Sequence, residues 1–266
     1  MDPLQPLIDR LHTEGRLRVW SLVITAFGDL IQHRGGAMST AHLGQVLGRI
    51  GVEQGALRTA LSRLSQDGWV ERERDGRLSI YRLTQRGLDA SGAAATDIYA
   101  PPRTGTVDRW VLHMTLSESG APEVALYPEG AAPPGGDLRM TGTLDQVSAR
   151  YRTVRLSPEH RAALTLLAQD LQSLTSPIEA PLDAAAARLL LIHRWRRMVL
   201  RFVEPWPDLM PDDMPLRNPR AAVAQAYERL APAAEAWVDS CSTPAHPIPM
   251  PLGETAKRFA GNTAQL

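Results

Sequence analysis

The chain has 266 residues, 44% of them apolar, with 29 basic side chains balanced by 29 acidic ones. That length allows two or three cored domains, and the zero net charge excludes a general attraction to nucleic acid, so any such contact needs a local patch. The single cysteine, Cys241, excludes an intrachain disulfide framework and suits a reducing cytoplasm.

In chain order, Asp2, Asp9, Arg10, Glu14 and Arg16 do not read as a secretory leader, and no later apolar run approaches a membrane span. Membrane partners are therefore not expected. Residues 18–31 predict a helix with Leu22, Val23, Ala26, Phe27 and Leu30 on one face, stopped by Gly35-Gly36. Thr40 is a candidate N-cap for a second helix carrying Leu43, Val46, Leu47 and Ile50, which Gly51 ends.

Residues 51–87 are the most informative. Val52 and Leu57 can staple a helix start, Leu57, Leu61 and Leu64 form its buried stripe, and Gly68 can close it. Asp75-Gly76 then signals a tight turn between strands at 69–74 and 77–83. A short helix running into a hairpin is the pattern of a winged helix-turn-helix, whose recognition helix enters the major groove of DNA. Gln54, Arg58, Thr59, Ser62, Arg63 and Gln66 lie off the leucine stripe and are types that reach phosphates and base edges. Arg72, Arg74 and Arg77 flank the hairpin tip and suit backbone or minor-groove contact, with Glu71 and Glu73 as possible cross-strand partners. Thr84 caps a further turn of helix, and 90–106 reads as a linker.

A second region, 107–176, predicts a small α+β module with strands at 110–116, 123–127 and 153–156. A short helix is predicted at 144–149, and another runs from Ser157-Pro158 to Leu174. The third region, 180–240, is helical. One helix runs from Asp183 to Phe202, Pro205-Trp206-Pro207 breaks the pattern, and a second helix runs from Asn218-Pro219 to about Asp239. The tail, 241–266, is rich in proline and glycine at first and reads as poorly ordered.

Arg194, Arg197 and Arg201 share one face of the first C-terminal helix, while Leu191, Trp195, Met198 and Phe202 share another. The arginine face is compatible with solvent exposure, with a dimer seam or with an anion-binding wall. Catalytic signals are lacking: the seven histidines have no metal-ligand spacing, and neither a CxxC, a P-loop nor a GxGxxG occurs. No catalytic residue, metal or cofactor is expected.

Ser21–Asp29, Arg34-Gly35-Gly36, Leu57–Leu64, Gly68-Trp69 and Tyr81–Thr84 together resemble the PaaX family of bacterial repressors. So, independently, do Ala187–Arg197 and Leu230–Trp237. The resemblance implies an N-terminal winged helix (16–90), a central ferredoxin-like (Cas2-like) α+β domain and a helical C-terminal domain. It also implies a homodimer that represses an aromatic-acid catabolic operon at an inverted-repeat operator and is released by an acyl-CoA, notably phenylacetyl-CoA. Arg194, Trp195, Arg197, Arg201 and Trp206 are the candidate effector residues, since thioester phosphates ask for guanidinium and an aryl group asks for aromatic walls. The middle departs from the family: Ser117–Pro122 leads directly to Glu123–Tyr127, so the first central helix is shortened or absent. Two alternatives are a constitutive DNA-binding protein and a metal-dependent nuclease. The nuclease would need an acidic ligand set at a strand end, and Asp108 has no evident partner carboxylate.

Overall fold

The computed structural model describes residues 2–15, 17–76, 78–242, 246–249 and 258–260; Arg77 and most of the expected tail lie outside them. After a first helix α1 (Gln5–Thr13), α2 (Val19–Ala26) continues as a π-helical turn, Phe27–Ile31, and a 3-10 turn that ends at left-handed Gly35. The predicted first helix is thus one continuous coil with a widened turn. A short strand β1 (Ala37–Ser39) leads into α3 (Thr40–Arg49). Its N-cap is Ser39, whose hydroxyl accepts from the His42 N–H, rather than Thr40. The Thr40 hydroxyl instead donates to the Ser79 carbonyl across the sheet.

Helix α4 (Gln54–Gln66) begins as predicted, with Val52 and Leu57 both buried on either side of Glu53, and closes at left-handed Gly68. Strands β2 (Val70–Asp75) and β3 (Leu78–Leu83) form the hairpin one residue later than expected, joined through Gly76. With β1 they make an antiparallel sheet of order β1-β3-β2.

Helix α5 (Gln85–Ile98) is capped by Thr84 and covers most of the predicted linker. The run Ala93-Ala94-Ala95 favours helix, and Leu88, Ala94 and Ile98 pack on the core, so burial adds to propensity. Gly87 sits in the first turn of α5, where an added Cβ would lie 2.5 Å from the Trp69 carbonyl oxygen. We expect Gly87→Ala to lose about 1–3 kcal/mol through overpacking, more than the ~0.5–1 kcal/mol alanine gains in a helix. An unchanged denaturation midpoint would contradict this.

The central sheet, of order β5-β4-β6, contains β4 (Trp110–Leu116), β5 (Pro122–Pro128) and β6 (Leu138–Gly142). The link between β4 and β5 is a tight turn at Gly120, where Ser117 Oγ accepts from the Ala121 N–H, and no helix separates them. The middle therefore holds three antiparallel strands, without the helix that a full ferredoxin-like module places after its first strand. The strand expected at 153–156 does not form: residues 153–154 end helix α6 (Ala149–Val154), which Ser148 caps by accepting from the Tyr151 N–H, and 155–156 turn away from it. Residues 144–148, expected to be helical, are irregular.

Helix α7 (Pro158–Ser173) follows its Ser157 cap, α8 spans Pro181–Val199, and α9 spans Pro219–Ser240 behind Asn218. The amino- and carboxy-terminal regions share one hydrophobic core. Helix α8 packs against α2, α3, α5 and α9, and Leu22, Leu43, Leu191 and Trp237 belong to the same buried cluster.

A buried ionic network crosses this core. The Asp29 carboxylate, in the π turn, accepts from Arg188 Nε at 2.8 Å, from Tyr99 Oη at 2.7 Å and from Arg258 Nη1 at 3.1 Å. Arg188 also donates to Glu235 at 2.6 Å, and Glu235 in turn accepts from Arg34 at 2.7 Å. Burial opposes the charge on Asp29, yet Arg188, Arg258 and the Tyr99 hydroxyl outweigh it and hold its carboxyl below the usual range.

Candidate nucleic-acid interface

The recognition face is built by α4. Leu57, Ala60, Leu61 and Leu64 turn inward, so at 3.6 residues per turn the opposite side must carry the polar set. Gln54, Arg58, Thr59, Ser62, Arg63 and Gln66 are all exposed, as predicted from the stripe. Ser62, Thr59 and Gln66 occupy the middle of that side, with Arg58 and Arg63 on opposite shoulders. The Arg58 shoulder faces the hairpin across a groove lined also by Ser62, Arg72, Ser79 and Tyr81. The Gln54 amide lies over Gly44 of α3, where the absent Cβ lets the two helices approach.

Partners decide which cations are available. Arg58 and Arg74 have no ion pair among the described residues, while Arg63 lies 3.7 Å from Asp67 with both side chains exposed. Such a pair is worth at most about 1 kcal/mol and yields readily to a phosphate. Arg72 is braced along the hairpin by the Ser79 hydroxyl at 2.6 Å, and Glu73 pairs with Arg82 at 3.1 Å. Arg86 lies over the Trp69 ring and donates to the Asp67 carbonyl, fixing the end of α4 to the hairpin base.

The candidate effector residues do not converge. The Trp195 side chain is fully buried, donates to the Ile98 carbonyl at 2.8 Å and lies beneath Arg220. Arg194 is paired with Asp170 and, at 2.5 Å, with Glu14. Trp206 is stacked by Arg103 at 4.0 Å. Arg197 and Arg201 remain exposed. Shared helical spacing is silent about which neighbour covers a face, and here Glu14, just after α1, and Asp170 of α7 take up the first arginine. Arg18 and Trp20 stand exposed beside Arg63, and a tryptophan off the buried stripe of α2 is the signal in the sequence that marks this surface.

Helices α2, α3 and α4, with β1 between the first two and the projecting β2–β3 hairpin after the third, joined in a β1-β3-β2 sheet, define a winged helix-turn-helix protein. The chain belongs to the PaaX-like family. Residues 18–87 match the model of the PaaX-like protein, and residues 143–240 match that of the PaaX-like protein C-terminal domain. It is 29% identical, over 91% of its length and 90% of the relative's, to the transcriptional repressor PaaX of Escherichia coli strain K12. Among solved structures, an uncharacterized protein from Mycobacterium tuberculosis matches with a TM-score of 0.44 and 18% identity, covering 77% of this chain and 91% of that one. No helix among the described residues is long and apolar enough to cross a membrane.

Proposed function

We propose that the protein is a DNA-binding transcriptional repressor of an aromatic-acid catabolic operon of the phenylacetate type, released from its operator by an aryl-CoA thioester. The observation that carries the DNA-binding part is the exposed polar face of α4, bounded by Arg58 and Arg63 and followed by the arginine-bearing hairpin. Membership of the family supports the repressor role. Arg58→Ala and Arg63→Ala are expected to weaken specific operator binding by about 1–3 kcal/mol each, the worth of a good base contact, with the fold intact. Gel shifts on a fragment of its own promoter test this, and wild-type affinity in both variants would remove α4 from the groove.

A dimer completes the reading. On the central sheet, Leu112 pairs with both Leu126 and Met140, and Met114 with both Val124 and Leu138, so these side chains share one face. Leu116, Val124, Leu138 and Met140 are exposed there. A contiguous apolar sheet face suits a second copy of the chain, which would place two recognition helices over inverted half-sites spaced by turns of about 34 Å.

A further inference from the structure

Beside α4, on the side away from the hairpin, lies an open cleft of about 1150 Å³. Leu11, Leu17, Val19, Ala56 and Ala60 give it apolar surface among its polar lining, and Trp20, 39% exposed, lies beside them. Arg18, Arg63, Arg197 and Arg201 border it, and they come from the α1–α2 link, from α4 and from the end of α8. Against them stand Glu14, shared between Arg194 at 2.5 Å and Arg197 at 3.5 Å, Asp67, 3.7 Å from Arg63, and Glu159, whose charge is favoured in part by Arg201. His193, also at the cleft, adds no charge: burial and then the neighbouring arginines push it down to about 3, and its Nδ1 meets the Thr25 hydroxyl at 3.1 Å.

Guanidinium groups from separate elements thus border a concave cleft that also offers apolar surface, and Arg18 and Arg201 have no ion pair among the described residues. A DNA backbone would need the charges but not the apolar surface. A small amphiphilic anion needs both, and pockets for such ligands run to about 300–1,000 Å³.

We propose that this cleft binds an organic polyanion bearing an aromatic group, with the ring against Trp20 and Ala60 and the phosphates among Arg18, Arg63, Arg197 and Arg201. The proposal rests on the effector reading above and moves its site from Arg194, Trp195 and Trp206 to this cleft. Thr59 and Arg63 belong both to the cleft and to the recognition face. A bound polyanion therefore takes Arg63 from the operator and sets negative charge within a Debye length, about 8–10 Å, of the incoming phosphates. Release follows from direct competition and needs no movement of the winged helix. By linkage, saturating operator must weaken the ligand by the same factor.

The test titrates the full chain with phenylacetyl-CoA and with coenzyme A alone by calorimetry, and follows operator release by gel shift. It compares wild type with Trp20→Ala and with the double variant Arg18→Ala/Arg201→Ala, whose folding is checked by thermal melting. The expected result is tenfold or greater loss of thioester affinity in both variants, a matching loss of release, and operator affinity without ligand within twofold of wild type. Wild type that binds the thioester no more tightly than its variants overturns the cleft while leaving the effector reading standing. Wild type that binds neither compound overturns the effector reading, and the cleft with it. Variants that lose operator affinity while binding thioester normally would make the cleft a DNA contact and overturn the proposal.

Discussion

Arg188→Met is expected to lower the unfolding free energy by about 3–5 kcal/mol, the cost of leaving a buried charge without its principal partner. Both Asp29 and Arg188 have fully buried side chains, so no water replaces the lost guanidinium. Arg258 and Tyr99 remain, but Glu235 also loses its 2.6 Å partner. The double variant Asp29→Leu/Arg188→Met should be more stable than Arg188→Met alone, because it removes the orphaned charge as well, and a double-mutant cycle in urea gives the coupling directly. A single-variant loss under 1 kcal/mol would show that the network contributes little. The same carboxylates set an acid limit. Asp29 is held below its usual range, and so is Glu235, where His33 and Arg188 outweigh burial. A group with a depressed folded pKa contributes stability above its unfolded value, so that contribution should be complete above about pH 4–5 and fade as pH falls below it. The variant's melting temperature should accordingly fall less than that of wild type between pH 5 and 3.

The second large effect concerns assembly. Met140→Glu and Val124→Glu change side chains that are already exposed, so each protomer should fold. A buried, unpaired carboxylate at the centre of an apolar contact costs several kcal/mol, enough to turn a dimer into monomers at micromolar concentration. Losing the second half-site removes the gain of bivalency, commonly 10²–10⁴ in affinity. Light scattering should report the mass of one chain, about 29.1 kDa, and gel shifts a loss of operator affinity of about 100-fold or more. Dimeric variants with wild-type operator binding would place the dimer contact elsewhere.

Much of this was legible in residue order, for local reasons. The staple of Val52 and Leu57, the caps at Thr84 and Ser157, and the closing turn at Gly68 all act within a few residues, so the winged unit and the long helices followed from pattern. The failures are non-local. Residues 90–98 looked like a linker because alanine and glycine lack a strong period, yet α8 gave them a surface to pack on. The Arg194 stripe looked available because its acids, Glu14 and Asp170, lie far away in the chain. Asp29 was the overlooked clue: an acid seven residues after Leu22, on the buried side of an apolar helix, requires a cation from elsewhere.

The common core of the winged helix and the C-terminal helices also bears on the birth of the molecule. Helix α2 rests on α8, and Arg49 holds Asp183 at 2.6 Å, so surfaces of the first quarter of the chain are covered by residues made more than a hundred positions later. Chains emerge from a ribosome at about 5–20 residues per second and tend to fold as each unit becomes complete. Here the DNA-reading head is not such a unit. It must wait with its apolar faces uncovered until α8 and α9 have left the tunnel, so the nascent protein gains its native head only after the carboxy-terminal helices emerge.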